Sequence, residues 1–160
     1  MDARHVQTLL CLYRNDLHGL RSLLSSGLLS IDEPLTRDYK TALHWSVLLH
    51  RLETTITLLS LGAQPDILDY EGFTPLMCAV AQASETGNTQ ARLLLCYGAD
   101  PKFSTKLTGF DSALDMAEAS FDANPTLYIH MKEDQATKEV WSRRRNVLYV
   151  RRSIKRLTLV

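Results

Sequence analysis

Only seven glycines and three cysteines occur in this chain of 160 residues, and no window approaches eighteen uninterrupted apolar residues. Each shortage excludes something. Without a long apolar run, a membrane span is not expected. Few glycines make a phosphate cradle hard to build, and no glycine-rich phosphate loop, GxSxG or HExxH motif is present. Cys11, Cys78 and Cys96 are odd in number, lack CxxC spacing and lie within helical patterns. All three are expected to be small buried hydrophobes in a reducing compartment. The start, Met1-Asp-Ala-Arg-His, lacks a basic stretch leading into an apolar run. No signal peptide is expected, and the chain reads as intracellular, cytoplasmic or nuclear.

What is present is ordinary for one soluble domain: 45% hydrophobic and 22% charged residues, enough to bury a real core. The formal net charge is zero, but the charge is divided. Residues 1–137 hold ten basic and seventeen acidic side chains, a net of −7. Residues 138–160 hold eight basic side chains against Glu139, a net of +7. A split of this kind points to a charged tail with a role of its own.

Two patterns recur in step. Thr41-Ala-Leu-His44-Trp-Ser-Val returns 33 residues later as Thr74-Pro-Leu-Met77-Cys-Ala-Val. Leu58-Leu59-Ser-Leu-Gly62-Ala-Gln-Pro65-Asp returns as Leu94-Leu95-Cys-Tyr-Gly98-Ala-Asp-Pro101. A period in this range marks stacked helical units. In the middle unit Thr41 caps a first helix, closed by Leu49-His50, and a second helix spans about 53–61. Gly62 supplies the left-handed residue that ends it, and Pro65 keeps the chain from continuing helically. Asp69-Tyr-Glu-Gly72 makes a tight reversal, after which Thr74-Pro75 opens the next helix.

These motifs, from about residue 5 to 120, resemble the ankyrin repeat, whose pattern runs roughly DxxGxTPLHxAAxxG and then VxxLLxxGA. The resemblance implies an all-α solenoid of about four helix-turn-helix units, to which the pattern of the last residues adds a basic C-terminal capping helix. The stack would cover 1–134, with units at about 4–36, 37–69, 70–107 and an irregular 108–134, followed by a basic segment at 135–160. The first unit is degenerate, as suits an end cap. Gly62 to Gly98 is 36 residues, so the third unit carries about three extra, placed between its helices at Ser84-Glu-Thr-Gly-Asn-Thr. Asp115 stands where the pattern has His, and Tyr39 where it has Gly, so a reshaped first turn is expected.

No catalytic, cofactor or metal site is expected. His44 and His50 are six apart and do not share a helix face. The resemblance makes His44 structural, its ring tying the turn to the helix. Asp66, Asp69 and Glu71 lack the spacing of a calcium loop and are read as turn and surface chemistry. What the resemblance leaves for a protein partner are the turn tips and the inner face of the first helices. These are Arg37, Asp38 and Lys40 at the first tip, Tyr70, Glu71 and Phe73 at the second, and Thr108 and Asp111 at the third. On the helices they are Leu48, Leu49, Ala81 and Gln82. Leu48 and Leu49 with Tyr70 and Phe73 would form an apolar, aromatic centre flanked by charge, the composition of a binding hot spot. The alternative is that the two leucines are covered within the fold.

Val147, Val150, Ile154 and Leu157 draw one apolar stripe along a long helix over about 135–157. Arg143, Arg144, Arg145, Arg151, Arg152, Lys155 and Arg156 surround it. Three readings stay open for this basic face: solvent, an acidic protein surface, or the phosphates of RNA or DNA. The function expected is non-enzymatic protein recognition, as an adaptor or a subunit of a larger complex. The alternative is a component of a nucleoprotein assembly.

Overall fold

The computed structural model describes residues 2–103, 112–120, 125–133 and 136. Their regular structure is entirely helical. The helices are α1 (Ala3–Arg14), α2 (Leu17–Ser25), α3 (Ala42–Leu48), α4 (Leu52–Ser60), α5 (Pro75–Ala81), α6 (Glu85–Cys96) and α7 (Ala113–Ala119). A further helical stretch occupies 125–133. No helix among the described residues is long and apolar enough to cross a membrane. The basic segment expected over 135–157 lies outside the described residues, apart from position 136.

Consecutive helices pair as α1 with α2, α3 with α4, and α5 with α6. The pairs then stack. α1, α3, α5 and α7 touch in sequence as one row, and α4 meets α6 in the other. A single pair this short cannot bury its apolar face alone, so the core runs continuously along the stack. Leu12, Leu20, Leu43, Val47, Leu58, Leu76, Met77 and Leu94 are all buried in it. At the far end, Leu127 and Met131 of the 125–133 stretch are buried as well.

Each first helix after the opening one is started by a hydroxyl. Thr74 Oγ1 accepts from Met77 N–H at 3.2 Å and Ser112 Oγ from Asp115 N–H at 3.3 Å. At α3 the cap is reciprocal, joining Thr41 and His44 in a capping box. His44 Nδ1 lies 3.3 Å from Thr41 N–H and 2.9 Å from Thr41 Oγ1. Its Nε2 lies 3.1 Å from Phe73 O, in the turn before α5. A carbonyl only accepts, so Nε2 carries the proton and Nδ1 is the acceptor. Burial lowers the His44 pKa below its ordinary 6.5. The ring therefore stays neutral and ties one unit to the next.

The extra residues of the third unit do not form a loop between its helices. They lengthen α6, which has 12 residues against nine in α4, and Ser84 caps it by accepting from Gly87 N–H at 3.0 Å. The longer first turn fits against α5 only because position 87 is glycine: a Cβ there would lie 2.6 Å from Ala79 O. The turn at Tyr39 is reshaped only in part. Tyr39 adopts the left-handed conformation itself (φ 58°), matching Gly72 (φ 83°) in the next turn. The turn hydrogen bond is kept in both, Tyr39 N–H to Thr36 O and Gly72 N–H to Asp69 O, each 3.0 Å. What changes is the closing bond, which joins Leu35 N–H to Lys40 O in one turn and Asp69 N–H to Phe73 O in the other. Cysteine departs in part: Cys11 and Cys78 are buried, but Cys96, the last residue of α6, is exposed.

Two expectations follow. Gly→Ala within a helix ordinarily stabilises by about 1 kcal/mol. Gly87→Ala is expected to do the reverse and lower the urea midpoint, because the backbone oxygen of Ala79 blocks the methyl. The second concerns acid. With the folded pKa of His44 depressed, the unfolded chain binds more protons below pH 6.5. This part of the stability is complete above that value and is lost as pH falls, at up to about 1.4 kcal/mol per unit. Urea unfolding at pH 7.5 and 5.5 should show this loss in the wild type and its absence in His44→Asn.

Candidate functional site

Several of the residues expected to meet a partner gather where the second and third units meet. Lys40, Leu48, Glu71, Phe73, Ala81 and Gln82 line one hollow of about 240 Å³, together with Asp69 and Cys78. Its apolar wall is built by Leu48 from the end of α3, Phe73 from the turn and Ala81 from the end of α5. Leu48 and Phe73 are half-buried, packed against the core on one side, and Ala81 is exposed.

The polar edge is organised by Asp69. Its Oδ1 accepts from Glu71 N–H at 3.0 Å and Phe73 N–H at 2.8 Å, which shapes the second turn. Its Oδ2 lies 2.8 Å from Lys40 Nζ, and Lys40 also meets Asp38 Oδ2 at 2.9 Å. The Asp69 side chain is only 1% exposed and that of Lys40 14%. Burial works against the Lys40 charge, but the two carboxylates outweigh it and raise its pKa. At Asp38 burial opposes ionisation, yet the Thr36 hydroxyl and Lys40 hold the carboxyl below its usual range. Asp69 thus performs the turn chemistry expected of it, but from a buried position and not on the surface.

Beside the hollow the tips are locked together. Tyr70 N–H donates to Asp38 O at 2.8 Å, and the rings of Tyr39 and Tyr70 stack with centroids 6.4 Å apart and planes 15° from parallel. They remain 55% and 73% exposed, so the stack presents aromatic surface to solvent. Cys78 forms part of the floor. Burial, with the Asp69 carboxylate adding to it, pushes its thiol up to about 12, which leaves it an unreactive wall residue.

Not every expected residue joins the hollow. Arg37 is exposed on the tip outside the lining. Leu49 is the C-cap of α3, half-buried against the core and turned to packing. Gln82 lines the hollow, yet its Nε2 donates to Val47 O at 2.9 Å, so it also fastens α5 to α3. Thr108, Asp111, Arg143, Arg144, Arg145, Arg151, Arg152, Lys155 and Arg156 lie outside the described residues. Tyr39, Asp69 and Cys78 are the site residues that sequence reasoning did not assign to contact. The signals of the first two were faint: a tyrosine at a glycine position, and a Lys40–Asp69 pair 29 residues apart. Among the described residues, no three His, Cys, Asp or Glu side chains are grouped to hold a metal ion.

The family model for ankyrin repeats, in three copies, matches residues 8–105, more than half of the chain. The chain belongs to the ankyrin-repeat family, whose members generally serve as non-enzymatic interaction modules. It is similar to the ARF GTPase-activating protein GIT1 of Homo sapiens, 48% identical over 71 residues, covering 44% of this chain and 9% of that protein. It is also similar to the ARF GTPase-activating protein GIT2 of Mus musculus, 46% identical over 72 residues, covering 44% of this chain and 10% of that protein. The match thus spans a tenth or less of the length of these curated relatives.

The ion pair at the edge has a measurable weight. Lys40→Met leaves the buried Asp69 charge without its cation, and removing one partner of such a pair costs about 3 kcal/mol. Urea denaturation should register a loss of that order, and adding Asp69→Asn should recover part of it. A loss below about 0.5 kcal/mol, the scale of a surface pair, would contradict this account.

Proposed function

We propose that this ankyrin-repeat chain is an adaptor or complex subunit that holds a segment of another protein in the hollow between α3 and α5. The observation that carries the reading is the meeting of Leu48, Phe73 and Ala81 beside the exposed Tyr39–Tyr70 stack. Apolar and aromatic groups concentrated at one place, with charge around them, are how binding energy is usually localised. The frame is already ordered by the His44 and Asp69 ties, so docking there immobilises few additional groups. At about 240 Å³ the hollow is smaller than pockets for drug-sized molecules, which run to about 300–1,000 Å³. One anchoring side chain of a protein fits it better than a free small molecule. The GTPase-activating activity named for the relatives above is no part of this proposal.

Site-specific photocrosslinking in cells tests it. A photoreactive residue at Ala81 or Tyr70 should give discrete protein adducts, whereas one at Glu53, exposed on α4, should not. Ala81→Arg fills the hollow from an exposed position, and should remove the Tyr70 adducts while the thermal midpoint stays within about 2 °C. Adducts of equal strength at Glu53, or adducts that survive Ala81→Arg, would refute this docking site.

A further inference from the structure

We infer that the hollow selects a partner segment in which an apolar anchor residue stands beside an arginine or lysine. This rests on the reading of the hollow as a docking site and adds the chemistry of what docks. Three observations converge on it.

The first is an imbalance of charge at the edge. Lys40 is the cation of the lining, and both Asp69 and Asp38 already lie against it. Glu71, on the same edge, is exposed. Its backbone N–H binds Asp69, while its carboxylate meets no cation among the described residues. The other cation of the tips, Arg37, does not line the hollow. An incoming carboxylate would meet net negative charge, whereas an incoming ammonium or guanidinium finds Glu71 waiting. The second is the Tyr39–Tyr70 stack. Exposed aromatic faces attract cations through the ring quadrupole, and a planar guanidinium stacks on them best. The third is the apolar wall of Leu48, Phe73 and Ala81, which supplies the slot for the anchor. Tyr39 and Tyr70 immediately precede Lys40 and Glu71 of the lining, so one short peptide can reach slot, carboxylate and aromatic faces.

The chain's own segment 138–160 also combines apolar residues with arginines. The occupant proposed here is nevertheless a foreign partner. The chain's own tail is the competing occupant, and the experiment that follows separates the two.

A random peptide library displayed on phage and selected on the full-length chain at low salt tests the inference. Peptides with Arg or Lys next to an aliphatic or aromatic residue should be enriched at least tenfold. Glu71→Gln should remove the preference for basic residues, and Glu71→Lys should reverse it toward Asp and Glu. Ala81→Arg should abolish enrichment of either kind. Both positions are exposed, and circular dichroism of each variant checks the fold. If enriched peptides are neutral or acidic, or ignore Glu71→Lys yet still need an open Ala81, the charge inference fails and the docking site survives. Peptides indifferent to Ala81→Arg would overturn both. Replacing Arg143, Arg144 and Arg145 with Glu should leave selection unchanged. Severalfold stronger selection would overturn the foreign partner in favour of the chain's own tail.

Discussion

The backbone of Phe73 is the point on which the rest depends. Its carbonyl oxygen receives His44 Nε2 from the preceding unit at 3.1 Å and Asp69 N–H from its own turn at 3.0 Å. Its N–H is held by Asp69 Oδ1 at 2.8 Å. One residue therefore belongs to the cap of α3, to the second turn and to the entry of α5. Release of any one contact exposes a buried polar group without a partner, which costs about 1–3 kcal/mol. The side chain of the same residue forms the apolar wall of the hollow. The scaffold and the candidate contact surface are therefore one construction.

A buried ion pair is a poor source of stability by itself, since desolvation offsets much of the attraction. The Lys40–Asp69 pair is better understood as a means of register. Its partners come from successive turns and meet only when the units are correctly stacked. Other long-range ties act the same way. Asp32 accepts from Gln64 N–H and Asp66 from Asp100 N–H, both at 3.0 Å, one unit further along the chain. Deeper in the stack, Gln90 donates to Ser46 O and Thr55 Oγ1. Hydrophobic burial is tolerant of sliding, whereas these directional bonds are not. The apolar core thus drives stacking and the polar ties decide how the units align.

The repeating part of this design was readable from residue order. Thr41 as a cap, Thr74 at the start of the next helix, and Gly62 with its repeat Gly98 after the second helices follow from local chemistry, and His44 as a structural tie follows from the family resemblance. Local chemistry also explains the misreadings. Ser84 to Thr89 is polar and contains glycine, and so resembles a loop. It becomes helix because Ser84 supplies a cap and Gly87 lets the new turn lie against Ala79. Tyr39 was expected to reshape its turn; the closing bond does shift, but the left-handed form is kept, with a ring partner 31 residues away. Stacking on Tyr70 contributes about 1 kcal/mol, comparable with the strain of a non-glycine residue there. The expectation that Cys96 would be buried extended a helical pattern to a position that faces outward at the helix end. For Gly87 and Tyr39 the deciding contact is tertiary, so no short window of sequence contains it.

The candidate site divides along the same line. Half of the twelve residues proposed for protein contact line the hollow, because the repeat phase places turn tips and first helices on a common side. Phase alone does not tell which charges are already engaged. Lys40 and Glu71 look alike in the sequence, as charged residues near turn tips. The structure separates them: Lys40 is enclosed by two carboxylates, and Glu71 is exposed. A charge that is satisfied internally fixes the scaffold, and a charge left open to solvent is available to choose a partner. The recurring positions therefore carry the fold. On the proposed reading, selectivity falls to residues such as Glu71, Tyr39 and Tyr70, which the repeat positions but does not require.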